Sequence, residues 1–200
     1  MNTPNTALKA AEDLYTKDDA WIETVTGRKF YYLKPTFDIG EIAHALGNMC
    51  RFTGQSRRFF SVAEHSVLVS RIMEDLRLGD PMEGLLHDGV EAYLADVASP
   101  AKAVLKDYKA LDKALDRAMR AEFKMPLEKT EGCTTADWLA LFCEARALLP
   151  SKGKGWTGPP GLMEQAWQLP YHIGCWTPED ATSRFMDRMT DVRRRLKGLR

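Results

Sequence analysis

One short β-like pattern near the start of the chain gives way to long stretches of helical periodicity. From Trp21 to Leu33, WIETV-TG-RKFYYL sets two runs rich in β-branched and aromatic residues on either side of a Thr-Gly pair, which predicts a small hairpin. Beyond it, apolar residues recur every three or four positions. Asp38 is placed to cap a helix carrying Ile39, Ile42, Ala43, Leu46 and Met49 on one face. Residues 51–60, RFTGQSRRFF, break the period and read as a loop. Ser61 and Glu64 have the spacing of a capping box, in which each side chain satisfies a free backbone N–H at a helix start. Val62, Val69 and Ile72 run along the helix that follows. A third helix is expected from Met82 to Ala95. A fourth begins near Pro100, with Val104, Leu105, Tyr108, Leu111, Leu115 and Met119 as its apolar face. Thr134 or Thr135 caps a fifth, which runs to Leu149. Residues 150–161, PSKGKGWTGPPG, are a loop by composition. Thr177-Pro178-Glu179-Asp180 puts cap, proline and acidic first turn in the favourable order for a last helix ending near Leu196. The pattern predicts a mainly all-α domain over residues 21–200, with one N-terminal β-hairpin, preceded by a polar segment over residues 1–20.

Composition narrows the classes. At 200 residues, one domain buries about 70% of its unfolded-state surface and needs no disulfide or metal merely to fold. Lys+Arg and Asp+Glu both number 28, so the net charge is zero; this argues against nucleic-acid polymers and anionic membranes as partners. It leaves room for a local basic pocket. The longest stretch without Asp, Glu, Lys or Arg is Gln165 to Pro178, interrupted by Pro170, too short to span a bilayer as a helix. No basic head followed by an apolar run opens the chain, so no secretory signal is expected. Cys50, Cys133, Cys143 and Cys175 lack CxxC spacing and read as free thiols of a reducing cytosol. Arg188 to Arg200 holds six basic residues and one acidic, which reads as a solvated helix end.

Chemistry centres on His87-Asp88. The dipeptide alone is weak evidence. Glu91 follows at helical spacing, so the three can share one side of a helix, and they are interleaved with Leu85, Leu86, Val90 and Leu94. Titratable groups in an apolar segment are costly unless paired or bound to metal. His65 stands among apolar residues in AEHSVLVS, and Asp137 at the start of a later helix in TTADWLALF. Alone, His65 reads as a hydrogen-bonded core histidine and Asp137 as a helix N-terminal carboxylate. Together with His87 and Asp88 they form a mixed N/O ligand set suited to zinc, iron, cobalt or manganese rather than calcium. His44 and His172 lack such partners. Glu144 reads as half of a structural ion pair.

The order His65, His87-Asp88, Asp137 on successive helices resembles the HD-domain metal-dependent phosphohydrolases. The strings NMCRFTGQSRRFFSVAEHSVLVS, GLLHDGVEAYLADVASPAK and ADWLALFCEAR are similar to the small bacterial and phage 5′-deoxynucleotidases, and within these to phage dATP triphosphohydrolases, over roughly residues 20–195. The resemblance implies an HD-domain helical bundle with His65, His87, Asp88 and Asp137 as metal ligands. It implies Glu91 as the carboxylate acting on the attacking water and Asp96 as a carboxylate near the sugar. It implies Arg51 and Lys102 as phosphate contacts, Phe52 beside the nucleoside and Pro100 in the pocket wall. The implied cofactor is a divalent zinc, cobalt, manganese or iron ion, with Mg²⁺ accompanying a triphosphate. The implied setting is a homo-oligomer in a bacterial or phage-infected cytoplasm.

The expected reaction is hydrolysis of the bond between the α-phosphorus and the 5′-oxygen of a deoxynucleotide, dATP giving deoxyadenosine and triphosphate. Two alternatives stand beside it. One is a 5′-deoxynucleotidase acting on monophosphates; the other is a non-catalytic nucleotide-binding protein on the same scaffold.

Overall fold

A computed structural model describes residues 20–196. The expected polar segment over residues 1–20, all but residue 20, and the basic residues after 196 lie outside the described part. The hairpin forms as strands β1 (Trp21–Glu23) and β2 (Lys29–Tyr31), paired antiparallel with Ile22 opposite Phe30. Phe30 is fully buried and stacks on Tyr93, with ring centroids 3.8 Å apart. The rest is helical: α1 (Ile39–Asn48), α2 (Val62–Asp75), α3 (Pro81–Leu86), α4 (Glu91–Leu94), α5 (Ser99–Lys102), α6 (Lys106–Glu122), α7 (Glu131–Leu148), α8 (Leu162–Gln168) and α9 (Pro178–Leu196). Among the described residues no helix is long and apolar enough to cross a membrane.

Helix α2 is the axis of the molecule. Eleven of its fourteen residues are buried, because it packs against α3 and α9 on one side and α7 on another. Two apolar clusters meet on it. One gathers the hairpin, α1, α3 and α9 around Val62, Ala63 and Val67; the other gathers α7 and α8 around Val69, Ile72 and Met73. Helices α2 and α3 approach so closely at Gly84 that a Cβ there would lie 3.0 Å from the Ser70 backbone.

Local capping follows the sequence in part. Asp38 accepts the N–H groups of Gly40 and Glu41 at the start of α1. Ser61 accepts the Glu64 N–H at 3.1 Å, but Glu64 does not return the bond to the cap. Its buried carboxylate instead accepts the N–H groups of Gly174, Cys175 and Trp176, tying the extended segment before α9 to α2. A buried carboxylate with three donors within reach is better satisfied there than at one N–H.

Other expectations are corrected. The helix expected from Met82 to Ala95 is two short helices with a turn at residues 87–90. The fourth helix is likewise divided into α5 and α6, and Val104 and Leu105 in the break are exposed. The cap of α7 is Thr130, not Thr134 or Thr135: its hydroxyl accepts the Cys133 N–H, while Thr134 bonds back to the Thr130 carbonyl. Asp137 therefore sits in the second turn of α7 rather than at its start. Helix α8 has no counterpart in the expected elements. Arg188 is buried, donating to Ser70 and pairing with Glu74 at 2.7 Å, so the basic end of α9 is partly structural. The four cysteines are free, as expected; burial pushes the Cys133 thiol up to about 12 and Cys143 up to about 11.

Thr130 is selected as cap by Glu83 of α3, whose carboxylate accepts the Thr130 N–H at 2.9 Å, its hydroxyl at 2.6 Å and Arg120 Nη1 of α6 at 3.0 Å. Glu83 and Arg120 are both buried, so this one carboxylate joins three helices. Glu83→Ala leaves a guanidinium buried with only Asp116 and the Pro126 carbonyl as partners. Breaking a buried pair from one side costs about 3 to 5 kcal/mol. A urea titration is expected to show a lower midpoint with an unchanged slope; a shift under about 1 kcal/mol would mean the network contributes little.

Candidate metal centre

His65 comes from the first turn of α2, which faces the interior all round, so its imidazole has no route to solvent. His87 and Asp88 come from the turn between α3 and α4. There the chain keeps near-helical angles, but its bonds tighten to the i−3 pattern: Gly89 N–H to Leu86, Glu91 N–H to Asp88, Ala92 N–H to Gly89. Gly89 sits in close quarters: a Cβ there would meet Met119 Sδ at 2.7 Å and the Leu86 carbonyl at 3.0 Å. The turn aims His87 and Asp88 toward His65 of α2 without a continuous helix. Asp137 enters from α7.

These four side chains converge. His65 Nε2 lies 3.2 Å from His87 Nε2, 3.4 Å from Asp88 Oδ2 and 3.3 Å from Asp137 Oδ1. His87 Nε2 lies 3.1 Å from Asp88 Oδ2 and 3.8 Å from Asp137 Oδ1. Ligand atoms of His65, His87 and Asp137 all fall within 4.8 Å of one another. Around an ion with ligands at about 2.0 to 2.3 Å, neighbouring ligand atoms stand about 2.8 to 3.8 Å apart, the spacing of the contacts above.

The tautomers follow from the outer contacts. His65 Nδ1 donates to Glu144 Oε1 at 2.6 Å and His87 Nδ1 donates to the Gly84 carbonyl at 2.9 Å; both partners can only accept. Each Nε2 is then the free edge, and the two free edges face each other. Neutral imidazoles in that arrangement oppose lone pair to lone pair, so the site holds positive charge, as protons or as a metal ion. Burial and Arg51 oppose protonation of His65, yet Glu144, Asp137 and Asp88 hold it well above the ordinary histidine value. Burial would raise Asp88 and Asp137, yet the imidazoles hold both carboxyls well below the usual range. The buried group of His65, His87 and Asp137, with Asp88 beside it, fits a divalent ion.

Glu91 lies beside this cluster, 3% exposed, with Oε1 accepting Lys102 Nζ at 2.7 Å and Oε2 buried without a partner. Burial first, then Asp88 and Asp96, push its carboxyl well above the usual range against the pull of Lys102. Asp96 is part-buried, with its N–H on Met49 Sδ; burial raises its carboxyl while Arg51 and Lys102 oppose. Arg51 sits between Glu144, at 3.2 Å from Nε, and Asp88, at 3.6 Å from Nη1. Phe52, in left-handed backbone at φ 55°, lies under the Arg51 guanidinium at 5.5 Å and packs on the second core cluster. Lys102 points to Glu91, and Pro100 is exposed on α5. His44 and His172 are exposed and apart from the cluster.

Two contacts lie beyond the sequence reading. Glu144, expected as half of a structural ion pair, is fully buried and forms such a pair with Arg51, but it also holds His65. Its signal was available: it stands seven residues after Asp137, two turns along the same face of α7. Lys129 donates to Asp137 Oδ2 at 2.6 Å from outside the helix, where no periodicity marks it.

No family model matches the chain. It is similar to the uncharacterized protein YfdR of Escherichia coli, 33% identical over 176 residues, which cover 86% of this chain and 96% of that protein. An uncharacterized protein of Rhodobacter capsulatus is 36% identical over 117 residues, 54% of this chain and 60% of that protein.

Proposed function

The chain belongs to the family of the Escherichia coli protein YfdR, and from the cluster its helices assemble we propose a metal-dependent phosphohydrolase that releases nucleoside from a deoxynucleotide. The substrate in this reading is dATP and the products are deoxyadenosine and triphosphate. The observation that carries it is the convergence of two imidazole Nε2 atoms on two carboxylates, with both Nδ1 edges already engaged. His65, His87, Asp88 and Asp137 would hold a zinc, cobalt, manganese or iron ion. Such an ion would lower the pKa of a bound water toward neutrality and offset phosphoryl charge.

The chain's own groups do the rest. Glu91 would present its unpartnered Oε2 to the attacking water and take its proton. Arg51 and Lys102 rest on carboxylates and turn to the phosphate when it arrives, where they offset the charge that develops. The move of Lys102 also releases Glu91. Asp96 lies toward the sugar and Phe52 offers a ring face to the base. The water oxygen joins the α-phosphorus, the α-phosphorus–5′-oxygen bond breaks, and the 5′-oxygen leaves with a proton, one water being consumed. A triphosphate brings Mg²⁺ on its phosphates. The setting in this reading is a cytoplasmic homo-oligomer.

Chromatography of dATP digested with Mn²⁺, Co²⁺ or Zn²⁺ tests the bond. Deoxyadenosine and intact triphosphate are expected, without dADP or dAMP. Pyrophosphate with dAMP would abandon the mechanism. Hydrolysis of dAMP with dATP untouched would keep the bond and change the substrate to the monophosphate.

A further inference from the structure

A carboxylate outside the proposed ligand set reaches both the metal cluster and the phosphate side of the site. Glu144 is fully buried on α7, and its two oxygens are divided: Oε1 accepts from His65 Nδ1 at 2.6 Å, and Oε2 accepts from Arg51 Nε at 3.2 Å. The Arg51 guanidinium turns its Nη1 to Asp88 at 3.6 Å, so a closed ring of contacts runs His65, Glu144, Arg51, Asp88 and back to His65. We propose that Glu144 is a positioning residue that couples the two halves of the site, setting the affinity of His65 for the metal and holding Arg51 toward incoming phosphate. The inference rests on the metal-dependent reading above and assigns to Glu144 the link between metal and anion.

A carboxylate behind a ligating imidazole fixes the ring and raises its basicity, so the opposite nitrogen binds metal more tightly. Arg51 competes for the same carboxylate and tempers that effect while it is held. When Arg51 turns to a phosphate, Glu144 acts more fully on His65. Metal and anion therefore favour one another, and linkage requires the effect to be reciprocal. Glutamine separates the parts: its carbonyl still accepts from His65, but its amide N–H₂ faces the guanidinium, donor against donor.

The test measures binding. Mn²⁺ alone is titrated into the full chain, and inorganic phosphate is titrated into the metal-free chain, for wild type, Glu144→Gln and Arg51→Gln. Glu144→Gln is expected to lose on the order of 10- to 100-fold in Mn²⁺ affinity and to lose phosphate affinity as well. Arg51→Gln is expected to lose phosphate affinity alone and to bind Mn²⁺ at least as tightly as wild type. A merely structural glutamate would lower thermal stability and leave both affinities in place. Wild-type Mn²⁺ and phosphate affinity in folded Glu144→Gln overturns the coupling. If that variant does not fold, Arg51→Gln decides: Mn²⁺ affinity at or above wild type supports the coupling, and affinity below wild type overturns it. A wild-type chain that takes up no Mn²⁺, Co²⁺ or Zn²⁺ overturns the metal reading itself, and the coupling with it.

Discussion

Asp88→Asn is expected to abolish nucleotide hydrolysis and to strip the divalent ion from the purified protein. Asp88 Oδ2 lies 3.1 Å from His87 Nε2 and 3.4 Å from His65 Nε2, and faces Arg51 besides. An amide puts either a neutral oxygen or an N–H₂ donor in that position. In the proposed reading, loss of the ion would remove both the ionised water and several kcal/mol of charge stabilisation. At about 1.4 kcal/mol per factor of ten, activity falls on the order of a thousandfold or more. His87→Ala is expected to act alike, since the free Nε2 disappears and the Gly84 carbonyl loses its donor. Metal analysis beside the rate assay separates this account from simple unfolding: the variant keeps a cooperative transition while its metal content drops. Full activity in Asp88→Asn would sink the assignment of the cluster.

Glu91→Gln is expected to leave the metal in place and to reduce kcat by about 10² to 10⁴, the range for removing a positioned base. Glu91 touches no ligand atom of the cluster; its partner is Lys102 and its free oxygen is buried. KM is expected to change little or to fall, because Lys102 loses its carboxylate partner and is freer to engage phosphate. Equal loss of metal and rate would instead assign Glu91 to the ligand set. A kcat within tenfold of wild type would remove it from the chemistry.

The contrast between these variants depends on the break between α3 and α4. On an unbroken helix from Met82 to Ala95, Glu91 would stack over His87 on one face. The turn at 87–90, closed by i−3 bonds around Gly89, lets Asp88 join the histidines while Glu91 lies beside them under Lys102. The close approach of Gly89 to Met119 and to the Leu86 carbonyl accompanies that change of path, and periodicity in the sequence carries no trace of it.

What the linear pattern determines is what depends on neighbours along the chain. The hairpin around Thr26-Gly27, the Asp38 cap, the Ser61 cap and the start of α9 at Thr177-Pro178 all follow from local geometry and recur in the structure. His65, His87 and Asp137, titratable side chains set among apolar ones, stand out along the chain only in combination, and the fold brings their ligand atoms within 4.8 Å of one another. Tertiary structure decides what those residues meet. Only the fold turns Glu64 from its cap to the segment before α9, gives Thr130 rather than Thr134 the cap of α7 through Glu83, and buries Arg188 against Ser70. Only the fold brings Glu144 and Arg51, 93 positions apart, into one hydrogen bond. The reason is dielectric as much as geometric: a buried charge must find a partner, and the nearest partner in space is set by how helices cross around α2, not by their spacing in the chain.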